Sequence, residues 1–152
     1  MKKWLVLLLT LALGLLGLAG CGSSGTSGDA KDGKVEITYG FWDKKQVPAV
    51  DEIIKLFNEK YPDIKVKTEL TPYAQYFQKL ETAATGGALP DVFWMNGSHK
   101  AQYAEGKVIV PLSDLATKDN YSLDNYPKSL VDLYTVDGKL YGIPKDFDTT
   151  GL

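Results

Sequence analysis

Arginine is absent from the 152-residue chain, so every fixed cation is a lysine. The flat bidentate fork that best grips carboxylate and phosphate is therefore missing, which disfavours anionic ligands. A basic excess is missing too. The net charge is -2 overall, and -4 once the first 20 residues, with Lys2 and Lys3, are set aside. That mild acidity argues against nucleic acid as a partner. One cysteine excludes an internal disulfide. With one histidine besides, metal ligation falls to carboxylates, and Asp137-Gly138 and Asp146-Phe147-Asp148 fall short of a calcium loop. No metal and no cofactor is expected. His99 follows Ser98, but adjacent residues on a helix point about 100° apart and no orienting acid is evident, so a nucleophile and base are not supported.

Long apolar runs are confined to the start of the chain. Lys2-Lys3 followed by the apolar stretch Trp4–Leu18 reads as a signal peptide over residues 1–20, too short and too glycine-rich at its end for a comfortable membrane span. Leu18-Ala19-Gly20-Cys21 resembles the lipobox of bacterial lipoproteins, which implies that Cys21 carries the lipid after cleavage in front of it. Acyl chains at about 0.8 kcal/mol per buried methylene would then hold the protein on the extracytoplasmic face of the cell membrane. Residues 21–34 are rich in glycine, serine and charge, and read as a flexible tether.

From residue 35 the pattern becomes that of a folded domain. Val35–Phe41 and Ile64–Leu70 alternate apolar and other residues as strands do. Val50, Ile53, Ile54 and Phe57 recur at helical spacing after Pro48, with Asp51 and Glu52 expected in the first turn and Pro62 as the stop. Thr71 is a candidate cap with Pro72 at the first helical position, and that helix runs to Gly86-Gly87. Asp91–Met95 reads as a strand buried on both faces, followed by a short helix from His99 to Glu105 capped by Asn96-Gly97-Ser98. Strand and helix alternate three times, the signature of an α/β unit with parallel strands. Beyond it come a short strand at Val108–Leu112, a turn or cap at Ser113–Leu115, a helix at Pro127–Tyr134, and a hairpin turning at Asp137-Gly138. Residues 143–152 end with neither a capped helix nor a charged tail, so the chain reads as interrupted.

Ligands of open α/β sheets sit beyond the carboxyl ends of strands, near a change in strand order. That rule selects Trp42-Asp43 after the first strand and Asn96-Gly97-Ser98 after the third. Trp42 can stack on a ligand ring, Asp43 can accept from hydroxyls, and Asn96 offers donor and acceptor beside a backbone left bare by Gly97. The plainer reading is that Asp43 and Asn96 satisfy turn or cap groups. Tyr73, Tyr76 and Phe77 lie at helical spacing and fit a core stripe better than a binding stripe.

In order and spacing, Phe57–Val66, Pro72–Leu80, Gly86–Asn96 and Tyr141–Asp146 resemble the family 1 extracellular solute-binding proteins. These are the lipoprotein receptors of carbohydrate-importing ABC transporters. The resemblance implies two α/β lobes of the type II periplasmic-binding-protein kind, each a mainly parallel sheet flanked by helices, closing on a sugar. Residues 35–152 would be the first lobe, ending near the hinge crossing, with the second lobe largely missing from this chain. It also implies a sugar or oligosaccharide ligand, ABC permease subunits as partners, a monomeric receptor and no catalysis. Carried over by position, the ligand contacts would be Trp42, Asp43, Tyr76, Asn96, Gly97, Asp146 and Asp148. The rivals are a surface-anchored carbohydrate-active enzyme using a carboxylate pair such as Asp43 with Asp146, and a non-functional fragment of a binding protein. Polyamines, peptides and metal complexes are rival ligands.

Overall fold

The computed structural model describes residues 34–148. The expected signal peptide, Cys21 and all of the tether but Lys34 lie outside the described residues. Strand β1 (Val35–Phe41) is followed by a single 3-10 turn (Lys44–Gln46), helix α1 (Val47–Lys60), strand β2 (Ile64–Leu70) and helix α2 (Tyr73–Gly86). Strand β3 (Val92–Phe93), helices α3 (Lys100–Glu105), α4 (Ser113–Lys118) and α5 (Lys128–Leu133), and the hairpin strands β4 (Thr135–Val136) and β5 (Lys139–Leu140) complete the order.

The main sheet has the order β2-β1-β3 and is parallel throughout, with Val35 opposite Ile64 and Gly40 opposite Phe93. The chain thus steps from β1 to one side, then returns to the other. This places the change of strand order at the carboxyl ends of β1 and β3, where a ligand crevice opens in this class of sheet. β1 and β3 are held in register by a reciprocal lock. The Asp91 carboxylate accepts from the Thr38 amide at 2.8 Å and from its hydroxyl at 2.7 Å, while the Asp91 amide donates to Thr38 Oγ1 at 2.9 Å. These bonds hold the Asp91 carboxyl below its ordinary value.

The core joins Phe41 from β1, Trp94 just after β3, Val50 from α1, Tyr76 and Leu80 from α2, and Tyr103 from α3. It is small and ring-rich. Ile53 and Leu56 on α1 stay more than half exposed. Tyr76 is its central pin. Its hydroxyl donates to the carbonyls of Gly40 at 3.1 Å and Trp94 at 3.0 Å, tying α2 to both strands at their carboxyl ends. Burial pushes that hydroxyl well above the ordinary tyrosine value, so it remains a neutral donor.

Several expectations need correction. The third strand has two residues, and Val92 is 50% exposed, so it is not buried on both faces. An apolar run cannot report whether a neighbour covers its second face. Val108–Leu112 forms no strand, and Ser113–Lys118 forms a helix. Helix α1 begins at Val47, which moves Asp51 and Glu52 out of its first turn, and Pro72 is the N-cap of α2 with no side-chain cap from Thr71. The hairpin stands as read. Asp137 (φ 48°) and Gly138 (φ 75°) both take the left-handed conformation that a two-residue turn between right-twisted strands requires.

Candidate functional site

The carboxyl ends of β1 and β3 carry a cluster of rings. Trp42, the first residue after β1, is met edge-on by Tyr76 (5.0 Å between centroids), Trp94 (5.1 Å) and Tyr73 (5.5 Å). Trp42 is half-buried, Tyr73 is 53% exposed, and Trp94 is buried. Trp94 donates its indole N–H to the Tyr39 hydroxyl at 2.5 Å. The helical stripe Tyr73, Tyr76, Phe77 therefore divides. Tyr76 and the half-buried Phe77 pack into the core cluster, while Tyr73 stays exposed beside Trp42.

A polar network runs along one rim. Asp43 accepts from the Lys45 amide at 2.8 Å and from Gln46 Nε2 at 3.2 Å. Gln46 Oε1 in turn accepts from Lys145 Nζ at 2.9 Å, and Lys145 pairs with Asp146. Lys145 Nζ also lies 3.9 Å above the Trp94 ring. Two carboxylates 103 positions apart in sequence, Asp43 and Asp146, are thus joined through Gln46 and Lys145. Both linking residues escaped the sequence reading. Glutamine and lysine on a surface carry no motif, and only the placement of Lys145 over Trp94 brings the two together.

A second polar network is built on Asn96. Its Oδ1 accepts from the His99 amide at 3.2 Å and the Ser98 hydroxyl at 2.9 Å, and lies 2.7 Å from His99 Nδ1. The backbone donor fixes which end of the amide is oxygen, so Nδ2 is free to donate to the Tyr73 hydroxyl at 3.0 Å. Asn96 therefore organises the turn after β3 and reaches the crevice through Tyr73. Ser98 and His99 precede α3, so helical geometry does not separate them, and their side chains lie 3.2 Å apart. The group that orients them is a neutral amide, and the imidazole is stacked face to face on Phe77 at 3.7 Å. That arrangement packs a ring; it does not activate a hydroxyl.

Of the seven residues singled out, Trp42 belongs to the ring cluster, Asp43, Asn96 and Asp146 to the two polar networks, and Asp148 lies exposed at the end of the described residues. Two readings are corrected. Tyr76 is 2% exposed with its hydroxyl committed to two carbonyls, so it supports the site from below and does not face a ligand. Gly97 does not leave the backbone bare. A Cβ there would stand 2.9 Å from both terminal carbons of Leu133, so the glycine makes room for α5. Among the described residues no cluster of three metal-ligating side chains occurs. What the crevice offers is ring surface flanked by planar hydrogen-bonding groups.

A family model described as bacterial extracellular solute-binding protein matches residues 42–152. An arabinooligosaccharide-binding protein of Bacillus subtilis (strain 168) is 32% identical over 121 residues, covering 78% of this chain and 28% of that protein. A lactose-binding protein of Rhizobium radiobacter is 30% identical over 121 residues, 77% of this chain and 28% of its own length. Among solved structures, an ABC substrate-binding protein from Listeria monocytogenes in complex with cycloalternan superposes with a TM-score of 0.67 at 37% identity. It covers 72% of this chain and 28% of that one. The chain thus spans a little over a quarter of the length of the proteins it matches.

Proposed function

The chain belongs to the bacterial extracellular solute-binding proteins, and from that premise we propose that it is the first lobe of a receptor that captures a sugar or oligosaccharide for an ABC importer. The observation that carries the reading is the cluster of rings and polar side chains at the carboxyl ends of β1 and β3. There, Trp42 and Tyr73 offer aromatic surface for the apolar face of a pyranose ring, and Asp43, Asn96 and Asp146 offer planar polar groups for its hydroxyls. The names of the relatives support the same ligand class.

Lipid anchoring through Cys21, residence on the extracytoplasmic face of the membrane, a permease partner and a monomeric state complete the proposal. The sequence of the leader supports the first two. A receptor tethered by residues 21–34 stays within reach of a permease while its lobe remains free to move. The lobe would supply one wall of a cleft whose other wall belongs to a second lobe.

The enzyme reading finds little in the crevice. Asp43 is occupied as a turn cap and Asp146 as the partner of Lys145, which leaves neither positioned as an acid and base pair across an open gap. Titration calorimetry of the chain against arabino-, galacto- and gluco-oligosaccharides tests the proposal, with the sugar recovered and analysed afterwards. Saturable binding with intact sugar is expected. Release of shortened sugar, or no heat with any member of the panel at millimolar concentration, would overturn it.

A further inference from the structure

Residues 143–148 bring Asp146 beside Lys145, Gln46 and the Trp94 ring, yet little backbone bonding holds the stretch there. The last backbone bond before this stretch joins the Tyr141 amide to the Tyr134 carbonyl at 2.9 Å, and among the described residues none follows it. On one side a groove of about 270 Å³ separates Pro144–Phe147 from Tyr126, Pro127 and Leu130, and Phe147 is 66% exposed. The stretch is therefore loosely packed against α5. On the other side two residues hold it. Pro144 is buried, and Lys145 lies with its ammonium over the Trp94 indole and its Nζ bonded to Gln46.

We propose that Lys145 is the positioning residue of the site, a clasp that fixes the Asp146–Asp148 stretch against the carboxyl ends of β1 and β3. This rests on the carbohydrate-binding reading for its functional consequence, though not for its structural one. A lysine ammonium presents three N–H groups. Here one meets Gln46 Oε1, one meets the Asp146 carboxylate, and the third side of the head faces the electron-rich indole. Each partner comes from a different place: the exit of β1, the stretch itself and the exit of β3. Releasing the head would free Asp146 and Asp148 to wander, so that a ligand would have to order them on binding, at a cost in affinity.

The test compares the wild-type chain with Lys145→Met, Lys145→Arg and Gln46→Ala. Methionine keeps the apolar stem over the indole and loses the charge. Arginine keeps charge, stacking and a donor for Gln46. Backbone order parameters of residues 145–148 should lie near about 0.85 in the wild type, fall below about 0.6 in Lys145→Met, and return in Lys145→Arg. Gln46→Ala should fall between. The Trp94 indole N–H resonance should move in the methionine variant and be restored by arginine. Sugar affinity should drop about tenfold in Lys145→Met and recover in Lys145→Arg. Unchanged order parameters in Lys145→Met, or loosened ones with unchanged sugar affinity, would overturn the clasp. If the wild type binds no sugar, the carbohydrate reading fails and the amide dynamics alone decide the clasp.

Discussion

Tyr76→Phe removes one oxygen atom from the centre of the molecule and leaves its ring packing in place. The ring keeps its edge contacts with Trp42 at 5.0 Å and Phe77 at 5.3 Å. What disappears is the donor to the carbonyls of Gly40 and Trp94. Gly40 keeps a partner, because its carbonyl also accepts from the Trp94 amide at 2.9 Å. The Trp94 carbonyl loses the donor that the structure gives it. One orphaned acceptor in a dry setting costs about 1–3 kcal/mol, and for a domain of this size that lowers Tm by roughly 5–15 °C. Urea denaturation followed by tryptophan emission measures it, with the slope unchanged because the same surface is exposed on unfolding. Tyr76→Ala sets the scale, since it also removes the ring and should cost about 3–5 kcal/mol. A Tyr76→Phe loss under about 0.3 kcal/mol would refute the reasoning, because it would mean that water reaches the Trp94 carbonyl.

Asp91→Ala should destabilise the chain by about 1–2 kcal/mol at neutral pH, discounted for the exposure of the pair, by unlocking β1 from β3. Because the Asp91 carboxyl is held below its ordinary value when folded, its contribution is present above the unfolded value of about 3.9 and is lost as pH falls through the folded value. The gap between wild type and variant should therefore close in acid, and a gap independent of pH would show that the carboxylate is not the locking group. Gly97→Ala should cost about 1 kcal/mol against Leu133, and the double variant with Leu133→Ala should recover at least about 0.5 kcal/mol of it; strict additivity would count against the contact. Trp42→Phe should weaken sugar binding about tenfold by calorimetry with the fold retained. Trp42→Ala is the poorer test, because three rings meet Trp42 edge-on and truncation would also loosen the core.

The alternation of Val35–Phe41 and Ile64–Leu70 and the Gly86-Gly87 stop gave two strands and the end of α2 at the residues where the structure has them, since each rests on local periodicity or a left-handed cap. The Asp137-Gly138 turn was equally local. What the sequence could not show was set by partners far along the chain. Val92 looks like core, yet in the structure it is 50% exposed. Gly97 looks open until Leu133 arrives from α5. Within the site, position after a strand was enough to find Trp42, Asp43 and Asn96. Gln46 and Lys145 become members only because the chain returns over Trp94, a contact across 99 positions that no local pattern encodes. Tyr76 entered the ligand contacts only by carry-over from the family resemblance; its spacing along α2 had pointed to the core, where the structure has it.

The most direct measurement is amide and indole shift mapping of the chain titrated with an oligosaccharide. Shifts should concentrate on the Trp42 indole, Tyr73, Asn96, Lys145 and Asp146, saturating together along one isotherm. Shifts confined to other surfaces, or none at millimolar sugar, would contradict the claim that the carboxyl ends of β1 and β3 form a carbohydrate-binding wall.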